Sequence, residues 1–178
     1  MKVAGHNPAK PRPSRRIEAV ILFSVANRMF AIAAAAVQEI RSADSLAGSA
    51  TELEEPEVPK VRHTIERNRR TYYIVNAGAH FGLPPTPPSL VLILRQLRVA
   101  VLVDRIERMT EISAVHPLPR AFTGEERAWY RGLAYVDERV IPVAKPGGFL
   151  TADEFARLEL AEKAAAAARR EMEGAVQA

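Results

Sequence analysis

Histidines are the side chains of this sequence best suited to acid–base catalysis. A hydrolase or transferase needs such a base beside a nucleophile or a second acid, at a spacing that the fold can bring together. No histidine here has a partner at a motif spacing, and no Gly-x-Ser-x-Gly, His-Glu-x-x-His or glycine-rich phosphate loop occurs. The four histidines are His6, His63, His80 and His116. We therefore predict no catalytic residue and no enzymatic activity.

Metal binding is the second chemistry that these residue types allow. His63 and His80 with Glu66 form one candidate set, but histidines at such separation are common by chance, and we interpret them as surface residues. A second candidate is a cluster of four glutamates that could bind calcium. It lacks the glycine and the alternating ligands of a calcium-binding loop, and we interpret it as a solvated acidic loop. It consists of Glu52, Glu54, Glu55 and Glu57. The sequence has no cysteine, which excludes thiolate ligands and disulfides. We predict no metal and no cofactor.

Asp104 is a further carboxylate placed like a catalytic group, because it directly follows the hydrophobic run 99–103. A catalytic carboxylate works with a second carboxylate or a base, and the pattern offers neither nearby. Aspartate also accepts hydrogen bonds at the ends of strands and in turns. We therefore expect Asp104 to cap the end of this strand.

The elements that position these residues occur twice in the sequence. Two nearly continuous apolar hairpins, at residues 19–32 and 90–103, each lead into a further strand. The spacing between the halves is almost constant. Val37 and Ile106 are 69 positions apart, as are Arg70 and Arg139, and Phe81 and Phe149 are 68 apart. This internal repeat predicts a two-lobed, mostly β protein.

We predict one domain at residues 17–150, with lobes at about 17–83 and 89–150 joined by a proline-rich link. A lobe of about seventy residues is only marginally stable alone, so the two lobes should pack together. Residues 151–178 are predicted to form a C-terminal helix and tail that begins with the capping box Thr151-Ala-Asp-Glu154. The helix face expected to dock on a lobe comprises Phe155, Leu158, Ala161, Ala165, Ala168 and Met172.

Residues 1–16 contain five basic residues, three prolines and no acid, which predicts a disordered arm. The net charge of the whole chain is +4, so the folded body is roughly neutral. A basic arm leaves nucleic-acid binding open as an alternative function, because clustered cations neutralise phosphates. The aromatic platform for stacked bases would then consist of Tyr72, Tyr73, Trp129 and Tyr130.

The longest apolar run, residues 29–37, is too short for the roughly twenty residues that span a bilayer. The N-terminus lacks the apolar stretch of a signal peptide. We therefore expect a cytoplasmic protein.

Three motifs, in their order and spacing, resemble the CheW-like adaptors of bacterial chemosensory systems. They are Val37–Arg41 after the first hairpin, Leu102–Ile106 after the second, and Arg131–Ala134 before the final strand. The resemblance covers residues 19–150. It implies two intertwined, five-stranded, SH3-like β-barrels. It also implies a scaffold that couples the regulatory domain of a CheA-type histidine kinase to the cytoplasmic tips of chemoreceptors.

The resemblance further implies which positions contact the kinase and the receptor. The matching residues are Val37, Glu39, His63, Asn68, Arg69, Val91 and Met109. The three apolar members, Val37, Val91 and Met109, are equally compatible with core positions, which is the usual place of a strand valine or methionine.

The segment from His63 to Asn76 departs from the family pattern. His63 occupies the position of an expected glycine, and Asn68-Arg69 occupies that of an expected Arg-Gly pair. The family arginine is expected near the glutamate that Glu39 matches; Arg67, Arg69 or Arg70 would replace it if the strand register shifts by one. We therefore predict a divergent adaptor with altered partner specificity.

Overall fold

A computed structural model describes residues 17–54 and 56–176. The arm predicted at residues 1–16 lies outside the described residues. The strands are β1 (Glu18–Val25), β2 (Arg28–Ala33), β3 (Val37–Ser42), β4 (Ala50–Glu52), β5 (Val61–Arg67), β6 (Arg70–Asn76), β7 (Leu90–Leu94), β8 (Val99–Val103), β9 (Arg105–Ile112), β10 (Tyr130–Val136) and β11 (Arg139–Ala144). The α-helices are α1 (Ala77–His80), α2 (Glu126–Trp129) and α3 (Ala152–Val176), and short 3-10 turns occupy Ala34–Ala36, Ala43–Leu46 and Pro146–Gly148.

The strands form two sheets, which we name lobe A and lobe B. Lobe A has the strand order β10-β11-β2-β1-β9, and lobe B has the order β3-β7-β8-β6-β5-β4. The segments 17–83 and 89–150 each contribute strands to both sheets, so the proline-rich link does not separate the lobes. The predicted fold class, mostly β with two lobes and a C-terminal helix, is confirmed.

The two lobes repeat one arrangement of strands. The order β10-β11-β2-β1-β9 in lobe A corresponds to β5-β6-β8-β7-β3 in lobe B. Pairing directions agree as well, because β11 pairs with β2 in parallel, β6 pairs with β8 in parallel, and the other pairs are antiparallel. Each lobe thus combines the hairpin of one half of the sequence with the strands of the other half.

Three hydrophobic cores follow from this arrangement, one inside each lobe and one between the lobes. In β1, Ile21 faces the central core whereas Leu22 faces the core of lobe A. In β7, Leu92 faces the central core and Val91 faces the core of lobe B. Both faces of these strands are therefore buried, which explains why the hairpins are apolar at nearly every position instead of alternating.

Strand β4 is an element that the sequence analysis missed. The sequence pattern around Glu52 predicts a solvated acidic loop, but Ala50–Glu52 pairs antiparallel with β5 and extends lobe B to six strands. Thr51 and Glu52 are exposed. A short edge strand whose side chains face water carries no alternating apolar signal, so its pattern is that of a loop.

Helix α3 begins with the predicted capping box. The Thr151 amide donates to the Glu154 carboxylate at 2.8 Å, and the Glu154 amide donates to the Thr151 hydroxyl at 3.1 Å. Only the first half of the helix docks: Leu158 is buried, whereas Met172 is 70% exposed. The prediction that Ala165, Ala168 and Met172 pack against a lobe is wrong, because the helix extends past the edge of the body. Within residues 17–54 and 56–176, no helix is long and apolar enough to cross a membrane.

The docked half of α3 binds lobe B through both polar and apolar contacts. The hydroxyls of Thr71 and Tyr73 donate to the Glu162 carboxylate, the latter at 2.8 Å. Burial, followed by the hydrogen bond to Glu162, raises the pKa of Tyr73. The Arg98 guanidinium lies 4.7 Å from the centre of the Phe155 ring and forms an ion pair with the helix through Glu159.

Leu158→Ala should lower the free energy of unfolding by about 2 kcal/mol, because it removes a side chain that is 98% buried under the helix. Leu160→Ala is the matched control: the same change at a position that is 70% exposed should stay within about 0.5 kcal/mol of the wild type. Urea denaturation of both variants measures the difference. Equal stabilities would show that α3 does not dock through Leu158.

Candidate partner-binding surface

The hairpin of β5 and β6 carries several of the predicted contact residues at its tip. Asn68 and Arg69 form a two-residue turn with positive φ angles of 50° and 61°, and Arg67 lies directly opposite Arg70. Such left-handed pairs match the twist of a β-hairpin, but Asn-Gly is the usual choice. Asn68 and Arg69 are both exposed, as predicted for a surface loop.

A charge-assisted hydrogen bond connects this hairpin to β3. The Nη2 atom of Arg67 donates to Oε2 of Glu39 at 2.6 Å, and Nε of Arg41 lies 3.5 Å from Oε1 of the same carboxylate. Three strands separate β3 from β5 in the sheet order, so this contact requires lobe B to curl round on itself. The Glu39–Arg67 pair therefore closes the lobe at one end.

The partner of Glu39 is one of the three arginines that the sequence analysis proposed. A bulge between Val61 and His63 inserts one extra residue into β5, which shifts the register against β6. The guanidinium is partly buried: the Arg67 side chain is 24% exposed, and its Nη1 atom has no hydrogen-bond partner among the described residues. Arg67 is therefore the arginine that pairs with Glu39 across the lobe.

Three of the predicted contact residues, Glu39, Asn68 and Arg69, lie on lobe B around this ion pair. His63 lies earlier on β5, opposite Ile74 and Glu52, and is half-buried. Met109 is 64% exposed, but it lies on β9 in lobe A. The exposed predicted residues are therefore divided between the lobes.

Val37 and Val91 are corrected by the structure. Val37 is 8% exposed and belongs to the central core, and Val91 is fully buried inside lobe B. Their side chains therefore serve packing and offer no surface to a partner. The sequence does not distinguish these positions, because a strand valine has the same pattern on either face of a sheet that is buried on both sides.

Lobe A contains an ion pair at the position equivalent to Glu39–Arg67, with the charges exchanged. There, Arg108 of β9 pairs with Asp137 in the turn of the β10–β11 hairpin. Arg108 is 69 positions after Glu39, and Asp137 is 69 after Asn68, the neighbour of Arg67. Both side chains are more exposed than those of the lobe B pair. The repeat thus preserves the closing contact but reverses its polarity.

Arg69→Gly should raise the free energy of unfolding by about 1 kcal/mol, because glycine adopts the left-handed region without the steric cost that a Cβ atom incurs. The measurement is urea denaturation at high salt, where the charge change contributes little. Asn27→Gly, in the equivalent φ region of the β1–β2 turn at +60°, is the reference, and its gain should be smaller because asparagine tolerates this region. An unstable Arg69→Gly variant would contradict the assigned turn.

The other candidate groups for chemistry have structural roles. The interpretation of His80 as a surface residue is wrong, because His80 is 4% exposed and packs among aromatic rings. Its Nδ1 atom lies 3.3 Å from Nζ of Lys60. An ammonium only donates, so Nδ1 accepts and the ring proton is on Nε2. Nε2 has no hydrogen-bond partner among the described residues, and the rings of Phe81, Trp129 and Phe149 surround it. Burial, and then the charge of Lys60, lower the pKa of His80 to about 3, so the ring stays neutral.

Asp104 caps its strand as predicted. Its carboxylate accepts hydrogen bonds from the Ala26 amide at 2.7 Å and from the Thr86 hydroxyl at 2.8 Å. It therefore connects the β1–β2 turn to the proline-rich link. In the described part of the chain, no group of three or more histidine, aspartate or glutamate residues is placed to hold a metal ion. The acidic residues Glu52, Glu54 and Glu57 are exposed.

The aromatic residues suggested as a nucleic-acid platform do not form an open surface. Tyr73 is 1% exposed and points toward α3. Tyr130 stacks on Phe81 with ring centres 5.7 Å apart, and Phe81 stacks on Phe30 at 4.3 Å. The rings of Phe30, Phe81, Trp129 and Tyr130 line a cleft of about 320 Å³. Tyr72 is half-buried against the core of lobe B, so the four suggested residues do not present one row of faces to stacked bases.

A family model described as the CheW-like domain matches residues 19–154. The chain belongs to the CheW-like family. The match begins at the second residue of β1, includes the other ten strands in full and ends in the first turn of α3, so most of this helix lies beyond the CheW-like domain. No curated protein matches the sequence.

A solved structure gives the same fold. The scaffolding protein TtCheW from Thermoanaerobacter tengcongensis superposes on this CheW-like chain with a TM-score of 0.61. The two sequences are 19% identical, and the match covers 73% of this chain and 90% of that chain. At this identity the likeness establishes the fold alone.

Proposed function

We propose that this CheW-like protein is a cytoplasmic, non-enzymatic adaptor of a chemosensory system. It binds the regulatory domain of a CheA-type histidine kinase through lobe B and the cytoplasmic tips of chemoreceptors along the groove between the lobes. Membership of the CheW-like family and the fold shared with a scaffolding protein support this proposal. The proposal assigns the membrane only an indirect role, through the receptors.

The observation that carries the proposal is the Glu39–Arg67 ion pair. The family resemblance implies an arginine near this glutamate, and the chain supplies one at the position directly before Asn68, where the family arginine is expected. The motif arginine is absent, but a neighbouring arginine forms the same ion pair with the glutamate, so the surface around that glutamate keeps its geometry. We therefore assign the surface around this pair to the kinase.

The departures between His63 and Asn76 lie on the same hairpin. Asn68 and Arg69 form its tip, and His63 lies on β5. The two substitutions at the tip are exposed beside the proposed contact surface and alter what the partner meets. We propose that this CheW-like protein serves a kinase or receptor whose surface differs from that of the standard partners.

Affinity capture of the tagged protein from its own cells tests the proposal, in forms with and without residues 1–16. We expect both forms to retain a histidine kinase and chemoreceptors, because the proposed contacts lie in the lobes. Retention of nucleic acid that disappears when residues 1–16 are removed, with no kinase in either form, would contradict it. That outcome would favour nucleic-acid binding through the basic arm.

A further inference from the structure

The tip of the β5–β6 hairpin and the adjacent part of β3 form a cationic cluster, which we name the basic tip. It consists of Arg41, Arg67, Arg69 and Arg70. Glu39 is the carboxylate within this cluster, and it pairs with Arg67 and Arg41. Among the described residues, no carboxylate lies within ion-pair distance of Arg69 or Arg70.

A nearby carboxylate, Glu66, belongs to the opposite face of the hairpin. It lies directly across from Thr71, whose hydroxyl donates to Glu162 of α3. Cross-strand neighbours share a face, and successive residues alternate between faces, so Arg67 and Arg70 point away from this helix-covered side. The positive charge is therefore concentrated on the face that α3 leaves open.

Three features of the basic tip reduce the stability of the isolated protein. Arg67 and Arg70 are like charges directly opposite each other in an antiparallel pair. Arg69 has a φ angle of +61°, where a residue with a Cβ atom is strained. The Nη1 atom of Arg67 is inaccessible to solvent and has no described hydrogen-bond partner. Backbone strain and unpaired charge at one exposed tip are typical of a binding surface. The partner then provides the opposite charges and the hydrogen bonds that the isolated protein lacks.

We infer that the basic tip binds an acidic surface on the regulatory domain of the CheA-type kinase. This inference rests on the proposed function and adds the chemistry of the partner. Carboxylates of the kinase pair with Arg69 and Arg70, reduce the repulsion between Arg67 and Arg70, and steer the encounter through long-range attraction. Recognition at this surface is therefore electrostatic and depends on ionic strength.

The test is titration of the full chain with the purified regulatory domain of a CheA-type kinase from the same organism, between about 50 mM and about 500 mM NaCl. The test variant is Arg69→Gln with Arg70→Gln. The control is Arg169→Gln with Arg170→Gln, which removes the same two charges from the exposed second half of α3. Both pairs are exposed, and the test variant removes one repulsion, so circular dichroism should show both proteins folded.

We expect the wild type to lose affinity steeply as salt rises. At low salt the test variant should bind about tenfold more weakly than the wild type, with a flatter salt dependence, and the control should follow the wild type.

Equal affinity and equal salt dependence of the wild type and the test variant would overturn the inference and leave the proposed function standing. Absence of kinase binding by the wild type at any salt would remove the proposed function and the inference together. Salt-dependent self-association of the chain, lost in the test variant, would assign the basic tip to a second copy and also overturn the inference.

Discussion

Replacing Glu39 by alanine should weaken binding of the kinase regulatory domain by about a hundredfold, which corresponds to about 2.7 kcal/mol. Glu39 accepts from Arg67 at 2.6 Å and lies 3.5 Å from Arg41. Without it, the partly buried Arg67 guanidinium loses its described partner, and the end of lobe B is no longer held closed. The proposed kinase surface then loses its geometry.

The direction of the change in affinity shows whether Glu39 acts by ordering the surface or by its charge. Glu39→Ala makes the surface more positive, which by itself would strengthen attraction to an acidic partner. A fall in affinity therefore reports the loss of the ordered ion pair. Arg67→Ala should cost less, because Glu39 then still has Arg41 beside it. Isothermal titration of both single variants and the double variant gives the coupling between the two residues.

The matched control for this experiment is Arg108→Ala, which breaks the equivalent ion pair in lobe A. Its side chain is 47% exposed, so the loss of stability should be small. Binding to the isolated kinase domain should remain within about threefold of the wild type, because lobe B is intact. If Glu39→Ala binds as tightly as Arg108→Ala, the proposed position of the kinase surface is wrong.

The second large effect is a loss of stability in mild acid. The neutral His80 ring is buried, and its pKa falls from an ordinary 6.5 to about 3 in the folded protein. Below pH 6.5 the unfolded chain binds a proton that the folded chain does not bind until about pH 3. Stability is therefore full above pH 6.5 and is lost as the pH falls through this window. By about pH 4.5 the loss amounts to about 2.5 kcal/mol.

His80→Leu isolates this contribution, because leucine fits an apolar environment and does not titrate. Lys60 keeps its ion pair with Glu154, at 2.9 Å, in the variant. Burial raises the pKa of Glu154, but the hydrogen bonds from Thr151 and Lys60 outweigh it, so the net shift is downward. That carboxylate therefore affects stability mainly below its ordinary pKa of 4.5, in both proteins alike.

Urea denaturation at a series of pH values measures the two proteins side by side. The wild type should lose about 2.5 kcal/mol more than His80→Leu between about pH 7.5 and about pH 4.5. Parallel stability curves over this range would show that His80 gains a proton in the folded state as easily as in the unfolded chain. The assigned neutral, buried ring would then be wrong.

The sequence predicted the architecture because the repeat is expressed in apolar side chains. The two hairpins are apolar at nearly every position, because both faces of their strands are buried. The capping box at Thr151 and Glu154 was predictable for a similar reason: both hydrogen bonds form between residues three positions apart. Local patterns of this kind do not depend on how distant segments meet.

The details of the candidate surface depend on distant segments and were less predictable. Arg67 reaches Glu39 because lobe B curls round on itself, and no local pattern distinguishes it from Arg69 or Arg70. The burial of Val37 and Val91 follows from the exchange of strands between the lobes. The reversed ion pair in lobe A becomes visible only when the equivalent strands are compared.

The docked helix gives a further example. The helical period of its apolar residues continues to Met172, but the surface beneath it ends near Glu162. A sequence period shows which residues share a face of a helix, and it does not show where the neighbouring surface stops. Leu158 and Ala165 therefore look alike in the sequence and differ in the structure.

The proposed adaptor function is tested most directly by reconstitution from three purified parts. These are the full chain, a CheA-type kinase from the same organism and the cytoplasmic signalling fragment of one of its chemoreceptors. The rate of kinase autophosphorylation is measured with and without the chain. We predict that the receptor fragment changes this rate only when the chain is present, and that Glu39→Ala removes the effect. A kinase rate that the folded wild-type chain leaves unchanged, with the receptor fragment present, would contradict the proposal.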